Sequence, residues 1–302
     1  MPQPLARDTS AAAEARQIAL FRAQQPHERL VAAFDLTAFA VALARDGLRR
    51  AHPELSALDL ARLAASLWFG PDYAARIRQP PTIEGALSIP AALLPVVRTL
   101  QQLAIPSYVG GSIASTAYSM PRSIYDIDVA AAIELRHVAL FAAALETDYY
   151  IERESILDAI THAEASFTIT HHATGINIDI FVTADRPFDR ARYQRAQAHV
   201  LPAVTEPIRL ASPEDMVLNK LLWYWQDQIV SERQWRDAQS IIRVQGGALD
   251  QAYLREWAAR LGIADLLDAA LRGDAGEAPQ EQMVCAGCVT AHRNADRLRQ
   301  PH

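Results

Sequence analysis

Two short stretches constrain this chain most: IYDIDVAAAI over residues 124–133 and INIDIFV over residues 176–182. Both alternate acidic or polar residues with apolar ones, the period of a half-buried strand. In an extended strand, residues i and i+2 face the same side about 7 Å apart. Asp126 and Asp128 therefore project together while Ile127 and Val129 point into a core. Asp179, between Ile178 and Ile180, is placed the same way on a neighbouring strand. A chain built around these stretches needs a sheet with one apolar face and one acidic face. Carboxylates gathered so closely can share divalent metals.

The chain has 302 residues, enough for two domains and a substantial core. Its apolar runs break well before the roughly 18 to 20 residues of a membrane span, so no membrane partner is expected. The opening MPQPLARDTS lacks a basic segment followed by an apolar run, and two cysteines give no disulfide framework. A soluble protein in a cytoplasmic setting is the expectation. The formal charge of −6 argues against a general nucleic-acid coat, which needs an excess of Lys and Arg, while leaving room for a local basic groove.

Along the chain, apolar spacing of three and four from about residue 11 to 79 predicts three or four helices. Ser56 is the expected cap of one of them and Gly70–Pro71 its end. Pro80 and Pro81 mark a boundary. The expected organisation is a helical N-terminal domain over residues 1–82, a core over 83–188, a C-terminal helical domain over 189–272, and a polar, poorly packed tail over 273–302. In the core, a helix over 91–103, a strand at 107–109, a helix from Ser112 to Ser119 and a strand at 127–133 come first. A helix over 135–146, a strand at 149–151 and a helix over 155–162 follow. A hairpin of 166–171 with 176–182 turns through Ala173, Thr174 and Gly175. After Asp189 the pattern is helical, with one extended piece at 208–210, and Ser212 caps the next helix. The fold class is α/β, of the α+β kind: a small mixed sheet flanked by helices.

The glycine turn in YVGGSIASTAYSM joins a strand to a helix. Backbone N–H groups of Gly110 and Gly111, with the Ser112 hydroxyl, can face an anion at the positive end of that helix. A tight turn with a serine cap is the structural alternative. Asp126 and Asp128 follow Gly111 by one short helix and a return strand, which brings phosphates and metals to the same sheet edge. Two cations there could activate an attacking oxygen and neutralise a leaving pyrophosphate. Asp179 fits the third ligand and the general base.

Gly110, Gly111 and Ser112, then Arg122 with Asp126, Ile127 and Asp128, then Asp179, resemble the motif of polymerase-β-like nucleotidyltransferases over roughly residues 85–185. The continuation SPEDMVLNKLLWYWQ and ERQWRDAQSII resembles the helical half of bacterial nucleotidyltransferases related to abortive-infection and toxin–antitoxin enzymes. The resemblance implies transfer of a nucleoside monophosphate from an NTP to an acceptor hydroxyl with Mg²⁺ or Mn²⁺ bound at Asp126, Asp128 and Asp179. It also implies a triphosphate contact for Lys220. Acceptors among such relatives include tRNA ends, aminoglycosides and protein side chains.

Alternatives stay open at several positions. Lys220 lies among Val217, Leu218, Leu221 and Leu222, where it either snorkels or meets phosphate. Arg122 is read as exposed, with a phosphate or sugar contact as the other reading. Arg236 and Asp237 are read as structural ion-pair members. Cys285, Cys288 and His292 offer three zinc ligands without a fourth, and His162, His171 and His172 are read as surface and turn residues. The rival function is a non-catalytic nucleotide-binding protein whose N-terminal helices bind a partner protein. A metal-dependent nuclease is a third.

Overall fold

The structure is a computed structural model that describes residues 9–85, 88–162, 166–201, 204, 206–226 and 232–273. Four helices come first: α1 (Ala11–Ala23), α2 (Pro26–Ala51), α3 (Ala57–Phe69) and α4 (Pro71–Arg76). Ser10 caps α1 and Ser56 caps α3 through side-chain bonds to the third following amide. Gly70 closes α3 at φ 93°, a backbone angle that a side chain would strain.

The central part runs α5 (Ser88–Gln102), β1 (Ser107–Val109), α6 (Gly111–Tyr118), β2 (Asp126–Ala131), α7 (Val138–Leu145), β3 (Tyr149–Tyr150), α8 (Arg153–Thr161), β4 (Ser166–His171) and β5 (Asn177–Val182). Then come α9 (Pro187–Arg195), β6 (Gln197–Val200), β7 (Pro207–Leu210), α10 (Pro213–Gln226), α11 (Glu232–Gln245), α12 (Gln251–Leu261) and α13 (Ala264–Arg272). The expected helix over 135–146 is a 3₁₀ turn at Leu135–His137 followed by α7.

The seven strands form one mixed sheet in the order β3-β4-β5-β2-β1-β7-β6. β2 and β5 are parallel, with Asp128 beside Asp179 and Asp126 beside Asn177. β4 runs antiparallel to β5 and sets Thr168 opposite Asp179. Ile127, Val129, Ile178 and Ile180 are buried on the other face, as the alternation requires.

The sheet continues past the expected boundary at residue 188. β7 joins β1 in parallel and β6 lies at the edge. β6 reads Gln-Ala-His-Val and buries no face, so the alternation that announces a half-buried strand is missing. The strand pairs with β7 alone.

The N-terminal helices pack on the rest of the molecule through buried polar anchors. Arg29, only 4% exposed, donates to the carbonyl oxygens of Ala117 at 2.8 Å, Phe21 at 2.6 Å and Gln24 at 2.7 Å. One guanidinium thus satisfies the open ends of α1 and α6 together. Thr37 accepts a bond from the Ile124 amide at 2.8 Å and donates to Ala33 O. Arg243 on α11 pairs with Glu14 on α1 at 2.6 Å. No helix among the described residues is long and apolar enough to cross a membrane.

Candidate active site

Strand register gathers the three aspartates. β2 carries Asp126 and Asp128, β5 carries Asp179, and parallel pairing brings Asp179 level with Asp128. Each carboxylate offers an oxygen such that all three lie within 4.8 Å of one another. All are half-buried. Burial pushes Asp128 up to about 7, the Asp126 and Asp179 charges add to it, and Lys220 and the Ser112 amide oppose it. Asp179 is also raised, by burial first, against the hydrogen bond from Thr168. That bond runs from Thr168 Oγ1 to Asp179 Oδ1 at 2.5 Å.

The glycine turn sits directly on this cluster. α6 starts at Gly111 rather than Ser112, with Gly110 before it. Gly111 has φ 49°, and a Cβ there would lie 1.5 Å from Asp128 Oδ2. The position therefore demands glycine twice, for backbone angle and for the approach of Asp128. The Ser112 amide is 3.4 Å from Asp128 Oδ2 and its hydroxyl donates to Asp126 Oδ1 at 3.2 Å. The anion at the positive start of α6 is thus the protein's own carboxylate.

Two expectations change here. The Gly110 amide donates to the main-chain oxygen of Asp128 at 2.9 Å, so it closes the strand–helix junction instead of facing outward as a phosphate donor. The Ser112 hydroxyl does not cap α6. Its side chain is buried and turned to the acidic acceptor Asp126.

Lys220 on α10 is 8% exposed. Its Nζ is 3.2 Å from Asp237 Oδ2 on α11. Burial lowers its pKa most, against the Asp237 charge. Arg122 binds the same Asp237 oxygen at 3.0 Å and reaches Ser112 Oγ at 3.5 Å. Arg122 is therefore not the exposed arginine expected, because Asp237 draws it inward. A chain of contacts links Lys220, Asp237, Arg122, Ser112 and Asp126. Arg236 instead pairs with Glu232 at 2.7 Å.

Three neighbours escape a reading of the sequence. Thr168 would follow from the hairpin register, which sets it opposite Asp179. Tyr73 and Arg76 leave no local signal. The Arg76 guanidinium lies 5.0 Å from the Tyr73 ring centre, and its charge lowers the Asp179 pKa against burial. Burial, then the Asp179 charge, raises the Tyr73 pKa. Phe181, two residues beyond Asp179 on the same face, packs 5.6 Å from the ring of Trp223, which is 36% exposed.

His171, expected at the surface, is buried. It hydrogen-bonds Thr174 at 3.0 Å and its ring lies 4.9 Å from that of Tyr149, because β4 sets it level with Tyr149 of β3. Cys285, Cys288 and His292 lie outside the described residues.

A family model of Rv0078B-related antitoxins matches residues 22–68, which cover α2 and most of α3. No curated protein sequence matches the chain. Among solved structures, the chain is similar to an antigenic nucleotidyltransferase-like protein from Paracoccidioides brasiliensis. Identity is 18%, TM-score 0.38, with 62% of this chain and 93% of that one covered. It is also similar to the antibiotic-resistance factor ANT(2'')-Ia in solution, at 13% identity and TM-score 0.38, covering 59% and 95% of the two chains. The ANT(2'')-Ia complex with adenylyl-2''-tobramycin gives 14%, 0.36, 60% and 95%.

Proposed function

We propose that this chain is a divalent-metal-dependent nucleotidyltransferase, which moves a nucleoside monophosphate from an NTP to an acceptor hydroxyl on an RNA end, a protein or a small molecule. The observation that carries the reading is the convergence of Asp126, Asp128 and Asp179 within 4.8 Å at the start of α6. Three carboxylates, set where burial first and their mutual charge second push Asp128 up to about 7, form a hard, oxygen-only donor set that suits Mg²⁺ or Mn²⁺. When bound, such a cation supplies charge neutralisation for the triphosphate and the leaving pyrophosphate.

The chain's own residues do the rest. Asp179, raised by burial, takes the proton of the acceptor hydroxyl, a task favoured by a pKa nearer neutrality. The start of α6 beside Gly111 and Ser112 receives the phosphates, with the Gly110 amide committed to the strand–helix junction. Lys220 and Arg122, both held by Asp237, present positive charge along the same side. Trp223, exposed and tilted 56° to the Phe181 ring beside it, offers an aromatic face on which a nucleobase stacks, without selecting among bases.

The test is incubation with each radiolabelled NTP, Mg²⁺ and cell extract, comparing wild type with Asp128→Ala. Transfer confined to the wild type supports the mechanism, and labelling unchanged in the variant overturns it. The antitoxin-family match over residues 22–68 favours a second reading as the alternative to this one. In it the N-terminal helices contact a partner protein in a toxin–antitoxin setting, and the sheet binds nucleotide without turnover. Calorimetric nucleotide binding with no transfer product would favour that reading.

A further inference from the structure

α2 is apolar on two opposite sides. With 3.6 residues to a turn, Leu30, Ala33, Phe34 and Thr37 share one face and are buried against the rest of the molecule. The other face carries Ala32, Leu36, Phe39 and Leu43, at successive spacings of four, three and four, all of them exposed. Leu36, Phe39 and Leu43 keep 45%, 67% and 57% of their surface in solvent. A surface helix places polar residues on its outer face, whereas this spacing is the seam by which one helix packs on another. An apolar patch rimmed by charge marks an interaction surface.

The charges at the two ends of the seam indicate what packs on it. Glu28 and Arg50 are exposed on the same face, Glu28 before the apolar stretch and Arg50 after it, each eleven residues from Phe39. That is roughly 16 Å along the axis in either direction. A two-fold interface needs a patch that complements itself, and opposite charges at equal distances from a central apolar side chain provide one. A second α2 running antiparallel, with the axis beside Phe39, stacks Phe39 on its counterpart. Leu36 and Leu43, three and four residues to either side, fall beside each other. Glu28 of each copy comes level with Arg50 of the other. The remaining acids of this face meet apolar residues, Asp35 level with Leu43 and Asp46 level with Ala32. A parallel pair would instead set Glu28, Asp35, Asp46 and Arg50 each against itself. Both end charges have capacity for the contact: Glu28 accepts the Gln25 amide on one oxygen at 2.6 Å, and Arg50 holds Asp46 at 3.0 Å with both side chains exposed.

We propose that the chain forms a two-fold homodimer through the outer face of α2, the two helices antiparallel about Phe39. The opposite face of α2 stays bound to its own molecule through Arg29 and Thr37, so pairing requires no rearrangement. The dimer does not depend on the nucleotidyl-transfer reading. One helix from each copy makes an interface at the small end of specific ones, which sets the association in the micromolar range.

Sedimentation equilibrium of the full-length protein from about 1 to about 100 µM reads the mass over the range a small interface populates. The expected result is a rise toward twice the chain mass. Phe39→Asp puts two carboxylates at the axis and should hold the protein at one chain mass throughout, with far-UV circular dichroism unchanged because the position is mostly in solvent. Arg50→Glu and Glu28→Arg should each weaken association about tenfold, since every reversal creates two symmetric like-charge contacts. The two reversals together should restore it. A wild-type protein that stays at one chain mass across the whole range overturns the inference and leaves this face to a different protein. Association that persists in Phe39→Asp, or that the double reversal fails to restore, overturns it as well.

Discussion

Asp189 and Asp128 are acidic side chains held inside the same molecule under opposite conditions. Asp189, 1% exposed, is gripped on both oxygens, by Arg186 at 2.8 Å and by Arg192. Asp128 has two carboxylates for neighbours, while the nearest ammonium, Lys220, is already paired with Asp237. Arg29 resembles Asp189 in kind, a buried charge held by the protein's own groups, with Nε and Nη1 donating to three carbonyl oxygens. A buried charge that is fully met belongs to the architecture, because removing one partner strands the others. A buried charge left in excess must be compensated by something that binds, which is how perturbed groups mark functional sites.

Breaking the unbalanced cluster should leave folding nearly intact and abolish chemistry. Asp128→Ala is expected to lower nucleotidyl transfer by about 10³-fold or more, read by radiolabel incorporation, with the far-UV circular dichroism unchanged. Breaking the balanced contact should do the reverse. Arg29→Ala is expected to destabilise the protein by about 3 kcal/mol, measured by urea unfolding, with Mg²⁺ affinity unaltered. Equal losses of activity and stability in both variants would erase the distinction.

Gly111→Ala tests how the glycine turn serves the cluster. A Cβ at 1.5 Å from Asp128 Oδ2 forces the carboxylate aside, and a misplacement of about 1 Å costs about 10²-fold in rate. Gly110→Ala meets only Tyr108 at 4.0 Å and should be far milder, so comparable losses in the two would contradict the geometry.

The pH dependence sharpens the comparison further. The folded-state pKa of Asp128, about 7 against an ordinary 3.8, means that the folded protein holds this proton more tightly than the unfolded chain. That stabilisation is complete below about pH 4 and is lost as pH rises through 7. Without metal, Asp128→Asn should therefore melt above wild type at pH 8 and close to it at pH 5. Added Mg²⁺ should raise the wild-type melting temperature more at pH 8 than at pH 5. A smaller gain at pH 8 would oppose this account. The smallest effect is expected at Trp223, where replacement by alanine should raise the KM for NTP about tenfold with kcat little changed, from the loss of one stacking partner worth about 1–3 kcal/mol.

Much of the site was legible because its signals are local. Alternation in 124–133 and 176–182 placed the aspartates on one face, and the Ala173–Gly175 turn gave the hairpin that Ser166–His171 and Asn177–Val182 form. The strand at Ser107–Val109 lies where the pattern put it, and the helix after Ser212 starts at Pro213. What escaped had no local pattern. β6 is an edge strand without a buried face. Arg122 became interior because Asp237, more than a hundred residues away, faces it. Tyr73 and Arg76 interact electrostatically with Asp179 from a segment whose end is tied to the β4–β5 turn by Thr82 and Ile83.

The amino-acid sequence alone determined the acidic face, the glycine that opens α6 and the mixed sheet, because strand period, turn chemistry and burial act over a few residues. Tertiary structure alone decided which charges are met and which are left in excess. That depends on partners brought together from distant helices, and no spacing along the chain encodes a distance between them. The same limit explains why the glycine turn read as a phosphate cradle in sequence proves, once folded, to be packed first of all against Asp128.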